Sequence, residues 1–372
     1  MNENLKTAVD KLFADYEMNQ ELQDFKDEVL SDLEASTDLI KEKDSKLSDA
    51  QVVKQALSQL GDLKPVIESI TVIDEANNSQ VPPQDTLTKD FEIAGLLNID
   101  IDTSTPRVLV GMDTNFTTVV SIKESTDSKV HVVYNSKNIT ETLDVAQTDT
   151  DLRLTLPELN WKQRWSPFKK VRMTLEVSIP KKYAGAITLN ANHSDIKVSS
   201  LDNKKSDLFI HAQGSRLKLN DLTLNSIDLH ASGAQVFVTK VDAVDFSSEV
   251  NAADVIYRAT KAKFNLSSEA GSIKMSEIKG QGIFSNSAGY LNIEFDELLG
   301  HVELESEAGE NIFKVDPIEK FNFELAAKAG TVDVKRDATF EALATDYARG
   351  TTAKNAKNNI KAQIYAGTIE LR

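Results

Sequence analysis

Between residues 186 and 372 a small or turn-forming residue returns at a nearly constant interval: Asp195, Gly214, Gly233, Ala253, Gly271, Gly289, Gly309, Gly330, Gly350 and Gly367. The intervals run from 17 to 21 residues. Apolar and polar residues alternate on both sides of most markers. Phe264 and Leu266 precede Gly271, and Ile273 and Met275 follow it. Val302 and Leu304 precede Gly309; Phe323 and Leu325 precede Gly330, with Val332 and Val334 beyond. A period of two is the mark of a strand with one buried face. A unit of about nineteen residues holding two short strands cannot bury its own apolar side chains, so the units must stack. The expectation is a mainly β chain, a single-chain β-solenoid with coils of ~19 residues, preceded by a small helical module. Leu266, Leu304 and Leu325 then share one inner column. The glycine or alanine at each turn answers a positive φ or crowding between coils. An up-and-down barrel is the alternative topology, but ten nearly equal units favour an open stack.

The alternation begins near residue 91, with earlier runs at 107–112, 118–123, 129–134, 152–156 and 171–179. Before it the apolar period is that of a helix. Leu5, Val9, Leu12, Phe13 and Tyr16 form one stripe. Asn19 caps a second predicted helix carrying Leu22, Phe25, Val29, Leu30 and Leu33. Ser48 and Gln51 make a capping-box pattern ahead of a third, with Val52, Val53, Ala56, Leu57 and Leu60 inward; Gly61 and Pro65 end it. Asn77, Asn78, Ser79, Pro82 and Pro83 mark a linker. The predicted organisation is a three-helix module over 1–70, a linker over 71–90 and a β-solenoid over 91–372, most regular over 186–372.

Charge sets limits on partners. Asp and Glu number 58 against 42 Lys and Arg, a net −16. Residues 1–90 alone carry 20 acidic and 9 basic side chains. Nucleic acid is excluded as an expected partner, because phosphate neutralisation requires a basic surface. There is no cysteine, so thiolate metal sites and thiol nucleophiles are absent. No basic stretch followed by an apolar run opens the chain, and no apolar run reaches the ~20 residues of a membrane span. By these signals the expected location is cytoplasmic, with a peripheral cell-surface location by non-classical export as the alternative.

Two resemblances follow from quoted residues. The helical pattern ending in Ala56-Leu57-Ser58-Gln59-Leu60-Gly61-Asp62 resembles the HAAS-like helical modules that precede envelope-associated regions in many Firmicute proteins. The run Val171 to Lys181, with alternating Val171, Met173, Leu175, Val177 and Ile179 before Pro180, resembles a second family. So do the repeated turns with Ala-Gly at 270–271 and 308–309, and the final Ala366-Gly367-Thr368-Ile369-Glu370-Leu371. That family is the bacterial putative-adhesin β-strand repeat family, which includes daptomycin-sensing and envelope-stress surface proteins. The resemblance implies a solenoid over 90–372 and supplies no catalytic residues. It also implies antimicrobial-peptide or envelope-stress sensing as the kind of role.

Several residues stand out as candidate sites. The stretch 161–172 carries both tryptophans and five basic residues in an acidic chain. Trp161, Lys162, Arg164, Trp165, Lys169, Lys170 and Arg172 suit a binding hot spot or a contact with anionic lipid; a loop packed on the solenoid is the plainer reading. Glu249, Glu269 and Glu307 fall at similar places before their turns, which would suit a cation or a basic peptide, against a solvated face relieved by Lys328. His211 and His230 lie 19 apart and should stack, with His193 slightly out of register. Two surface imidazoles are the simpler account, and neither a metal nor a cofactor is expected. Polysaccharide-cleaving solenoids need converging carboxylates with sugar-holding aromatics. Here both tryptophans precede the repeats, and no Gly-x-Ser-x-Gly elbow occurs. The expected function is therefore non-catalytic. The solenoid would bind or sense an antimicrobial peptide, anionic lipid or envelope polymer, and the helices would hold a protein partner. A self-assembling scaffold is the first alternative and a β-helix enzyme the second. The polar stretch 336–360 is expected to cap the stack against self-assembly.

Overall fold

The computed structural model describes residues 3–14, 16, 23, 26, 29–30, 33, 37, 51–53, 85–103, 116–137, 142–157 and 171–372. The chain divides into two units, Met1–Pro82 and Pro83–Arg372. In the first, α1 spans Glu3–Phe13. Its steps of four bury Leu5, Val9 and Phe13, while Leu12 on the flank stays 41% exposed. Helical backbone recurs at 23, 26, 29–30, 33, 37 and 51–53, where Val29, Leu33, Val52 and Val53 are buried. Most of the second and third expected helices, with Leu22, Phe25, Leu57, Leu60 and Gly61, lies outside the described residues. Among the described residues no helix is long and apolar enough to cross a membrane.

Among the described residues the regular structure of the second unit is β. One full turn of its solenoid is β11 (Arg216–Ser232), flanked by β10 (Asp202–Gln213) and β12 (Gln235–Asn286). Leu217 and Leu219 point inward from a first straight side, Leu222 and Leu224 from a short second side, and Ile227, Leu229 and Ala231 from a third. Each coil pairs in parallel with the next, so Leu208, Ile227 and Phe246 stand in line. A coil thus has three sides where the alternating runs indicate two. The short side offers only two inward residues. Its corner is formed by Ser200, Asp221, Lys240, Ala259 and Glu277, non-glycine residues with φ from 49° to 57°. Left-handed backbone costs such residues about 1 kcal/mol each, and no composition signal announces it. Glycine marks the other corner. There His193, Gly214, Gly233 and Ala252 have φ of 51°, 56°, 57° and 49°. The corner residues are therefore His193 and Ala252, and not Asp195 and Ala253. A small buried residue follows each: Ser194, Ser215, Ala234 and Ala253. Ser215 Oγ accepts from the Ser194 amide at 3.1 Å and donates to the Gln213 carbonyl at 3.0 Å, sealing the turn between coils.

The expected inner column exists. Phe284, Leu304, Ala362 and Leu325 are successive partners across four strands, all at most 2% exposed, and Leu266 is buried one coil earlier. Ala362 is an unforeseen member. It belongs to β17 (Asn358–Leu371), which lies between β13 (Tyr290–Val315) and β14 (Phe321–Val334) and pairs in parallel with both. Gly367 faces Gly309 on one side and Gly330 on the other, so the last glycines stack in the order 309, 367, 330. Gly350 makes no coil corner. It sits in β16 (Tyr347–Thr351), antiparallel to β14 and opposite Phe323. β15 (Thr339–Leu343) pairs antiparallel with β16, and Phe340 meets Phe323 edge-on at 5.9 Å. Of the polar stretch 336–360, the strands β15 and β16 cap β14, while its last residues, 358–360, begin β17 inside the stack.

The first strands repeat this device at the other end. β2 (Asn98–Thr103) lies between β6 (Asp151–Thr155) and β8 (Ala186–Asn192). β3 (Phe116–Ser125) lies between β7 (Val171–Pro180) and β9 (Asp195–Ser199). β4 (Lys129–Lys137) runs antiparallel on β7, β1 (Asp85–Glu92) on β4, and β5 (Asp144–Gln147) on β6. β1 therefore starts within the stretch whose composition reads as linker. The run at 107–112 lies outside the described residues. Reversed strands at both ends replace the parallel edge that would otherwise present a free ladder to another coil.

An ion cluster around the buried Glu370, with Lys335 and Arg372 partly exposed, ties the end of β17 in place. Glu370 accepts from Arg372 at 2.7 and 2.9 Å and also pairs with Lys335. The Arg372 hydrogen bonds outweigh the opposing effect of burial and hold the Glu370 carboxyl below the usual value of 4.5. A depressed folded value gives stability that is present above the ordinary glutamate range and lost as pH falls through the folded value. Glu370→Gln is expected to cost about 1–2 kcal/mol at pH 7, and the difference should shrink towards pH 3. Melts of both proteins at the two pH values check this; an equal loss at both would count against the ion cluster.

A candidate binding surface

Among the described residues the inward side chains form one packed cluster, so the outer surface is where a ligand can be met. One of the best-formed hollows among the described residues lies beside β7, lined by Glu124, Lys181, Tyr183, Asp202 and Asn203. Its volume is about 10 Å³, the room of a single water. Tyr183, which lines it, is structural: its hydroxyl lies 2.7 Å from the Ala186 carbonyl and 3.0 Å from that of Leu97, and burial raises its pKa.

Outward side chains form columns because parallel register repeats coil after coil. Asn190, His211, His230 and Glu249 are successive partners in one column. The two imidazoles do stack, with centroids 4.9 Å apart and planes at 24°. His230 Nδ1 lies 3.1 Å from Glu249 and Nε2 3.4 Å from Asp228. His193 is not in the column. It forms the corner, where a Cβ on Gly214 would stand 3.0 Å from its ring. Among the described residues no three or more His, Asp or Glu side chains are grouped to hold a metal ion.

Glu249 is not aligned with the other two glutamates. Glu269 instead accepts from Asn251, two residues further along, at 2.8 Å. Glu269, Ser287 and Glu307 lie along one line, since the Ala288 amide meets the Glu269 carbonyl and Asn286 pairs with Ser306. Tyr365 of β17 comes next, and Lys328 sits over its ring at 4.8 Å. The inserted strand separates Lys328 from Glu307, so the lysine serves an aromatic face and not the carboxylate. Spacing could not reveal Asn251 and Tyr365 as neighbours of these glutamates. The first depends on coil length to within two residues and the second on strand order.

Within the aromatic–basic segment, Trp161, Lys162, Arg164, Trp165, Lys169 and Lys170 lie outside the described residues. Arg172 is anchored in β7, opposite Thr117 of β3 and Lys137 of β4. It is partly buried, and that burial lowers its pKa from the ordinary arginine value.

Three comparisons bear on relationship. A family described as Toastrack DUF4097 matches residues 112–372. The search of curated proteins gave no match. Among solved structures, a putative adhesin from Parabacteroides merdae ATCC 43184 is 12% identical, with 78% of this chain and 97% of that one covered and a TM-score of 0.43. One from Parabacteroides distasonis ATCC 8503 is 14% identical over 77% and 97%, also at 0.43. One from Bacteroides fragilis NCTC 9343 is 15% identical over 78% and 99%, at 0.34. The family match covers well over half of the sequence and coincides with the stacked coils, and the chain therefore belongs to the Toastrack DUF4097 family.

Proposed function

We propose that this protein is a non-catalytic binding protein of the bacterial cell envelope that meets its ligand on the outside of the solenoid. The observation that carries this is the packed interior. Among the described residues its inward side chains join in one largely apolar core, with Ser248, Ser268, Asn286 and Ser306 as buried polar members, so recognition falls to the outer columns and to connecting segments. The segment 161–172 is the foremost contact site. It brings two indoles and five cations to a chain that is otherwise acidic, a combination suited to an anionic membrane interface. Antimicrobial peptides and envelope polymers are the other ligand classes, and envelope-stress sensing is the role they imply. The acidic helical unit would hold a protein partner.

Trp161→Ala/Trp165→Ala is expected to weaken binding to phosphatidylglycerol vesicles at least tenfold, about 1.4 kcal/mol, with the melting temperature unchanged. Co-sedimentation against neutral phosphatidylcholine vesicles provides the reading. Binding that survives the double substitution would remove the lipid role of the segment. Protease shaving of intact cells tests the location: cleavage at the surface supports it, and full protection places the chain inside.

A further inference from the structure

The insertion of β17 has a geometric consequence. β13 and β14 both pair in parallel with it, and its residues place Leu304 and Leu325 on the same face with Ala362 between them. Gly309, Gly367 and Gly330 are also in line. β13 and β14 are therefore in phase with each other. They could pair directly as consecutive coils, with Gly309 and Gly330 separated by an ordinary coil length of 21 residues. The slot between them is thus a separable strand-acceptor site that the chain fills with a strand from later in its own sequence. β17 reaches it from β16 through residues 352–357, a polar linker (Thr352, Ala353, Lys354, Asn355, Ala356, Lys357) that passes the start of β14, where the Thr352 amide donates to the Phe321 carbonyl and Asn322 donates to the Ala356 carbonyl. Nothing is threaded. β17 enters sideways and is held by two ladders, the apolar residues Ile360, Ala362, Ile364, Ile369 and Leu371, and the Glu370 cluster.

We propose that the β13–β14 slot also accepts β17 from a second copy of this chain, so that two molecules associate by reciprocal strand exchange. The strand that fits the slot is β17 itself, by the pattern of apolar residues, by the glycine at the corner and by the charge opposite Lys335. An exchanged pair keeps every contact of the single chain except those of the linker, which is why such exchange is a low-cost route to dimers. It presents two solenoid surfaces together, and a two-site particle binds a repetitive surface far more firmly than one site alone.

The test uses the absence of native cysteine. Glu303 and Lys361 are cross-strand partners on β13 and β17, with Nζ 3.3 Å from Oε1, at a backbone spacing a disulfide can bridge. Full-length Glu303→Cys and full-length Lys361→Cys are mixed, unfolded together in urea, refolded over a range of concentrations and oxidised. The expected result is a disulfide-linked dimer, its fraction rising several-fold with concentration, in which peptide mapping joins position 303 of one copy to position 361 of the other. The double variant Glu303→Cys/Lys361→Cys on one chain is the control, and at high dilution it should give the intrachain bridge. If the control forms that bridge and the mixture yields no 303–361 link at any concentration, the proposal is overturned. Light scattering of a variant lacking 353–356 gives a second reading, since so short a linker cannot carry β17 back past the start of β14. A folded dimer supports exchange, and a folded monomer with β17 docked refutes it.

Discussion

Gly289→Ala is expected to destabilise the β unit by about 4 kcal/mol, and Gly233→Ala by only about 1 kcal/mol. Both glycines lie at the same corner of the solenoid and look equivalent in sequence, but Gly289 is in line with Gly271 and Ala253, one residue past the position held by Gly233 and Ala252. They differ in what surrounds them. Gly233 has φ of 57° and open space where a Cβ would point. Alanine there meets only the modest cost of left-handed backbone, which Ala252 already bears at the same corner. Gly289 has φ of 131°, and a Cβ would stand 2.2 Å from the carbonyl oxygen of Gly271 in the neighbouring coil. Neither the backbone conformation nor the contact tolerates a side chain. The obstacle is backbone held in a ladder, so no rotamer change relieves it. Urea midpoints of the two variants provide the comparison. Equal losses would mean that crowding between coils is not what selects glycine at Gly289.

Phe284→Ala should cost about 3–5 kcal/mol, the range for a large side chain removed from a close-packed core. Phe284 is fully buried, 6.2 Å from the ring of Phe264 and 6.5 Å from that of Phe295, and it faces Leu304 on the next coil. Collapse around the cavity is hindered for two reasons. Coil spacing is set by the backbone ladder at ~4.8 Å. The ring of Phe264 already occupies the space left by Gly280, where a Cβ would come within 2.7 Å of Cε2. Phe284→Leu keeps most of the volume and should cost about 1 kcal/mol. Stability in a stacked array is carried between neighbours. Hydrogen exchange should therefore show lost protection in the coils next to Phe284 while β2 and β3 keep theirs. A loss under ~1 kcal/mol for the alanine variant would mean that the core yields more than its ladders permit.

Much of this architecture is legible in the order of the residues alone. The period-two runs and the recurring glycines determined that coils stack from residue 186 to 334, since a coil of that length has no other way to bury Leu266, Leu304 and Leu325, while the marker Gly350 proved to lie in an antiparallel cap. The stripe Leu5, Val9, Phe13 determined the buried face of α1. The stacking of His211 on His230 followed from a spacing of 19, because identical coil lengths place such residues side by side. The candidate contact site at 161–172 was visible only as chemistry, a concentration of indoles and cations against the charge of the chain.

The tertiary structure alone decided three things. The short second side of the coil was hidden because its corner uses Ser200, Asp221, Lys240, Ala259 and Glu277, residues that give no turn signal and hold positive φ between the ladders on either side. The alignment of Glu269 with Asn251 instead of Glu249 turned on a shift of two residues, smaller than the scatter in coil length. The place of β17 was out of reach for a deeper reason. Periodicity along a chain says that a segment forms a rung, but every rung of a parallel stack offers the same backbone ladder to its neighbours. Which rung lies beside which is settled by the closing of the ends, where β15 and β16 turn antiparallel over β14 and leave the slot beside β13 as the position where Ile360, Ala362, Ile369 and Leu371 are buried.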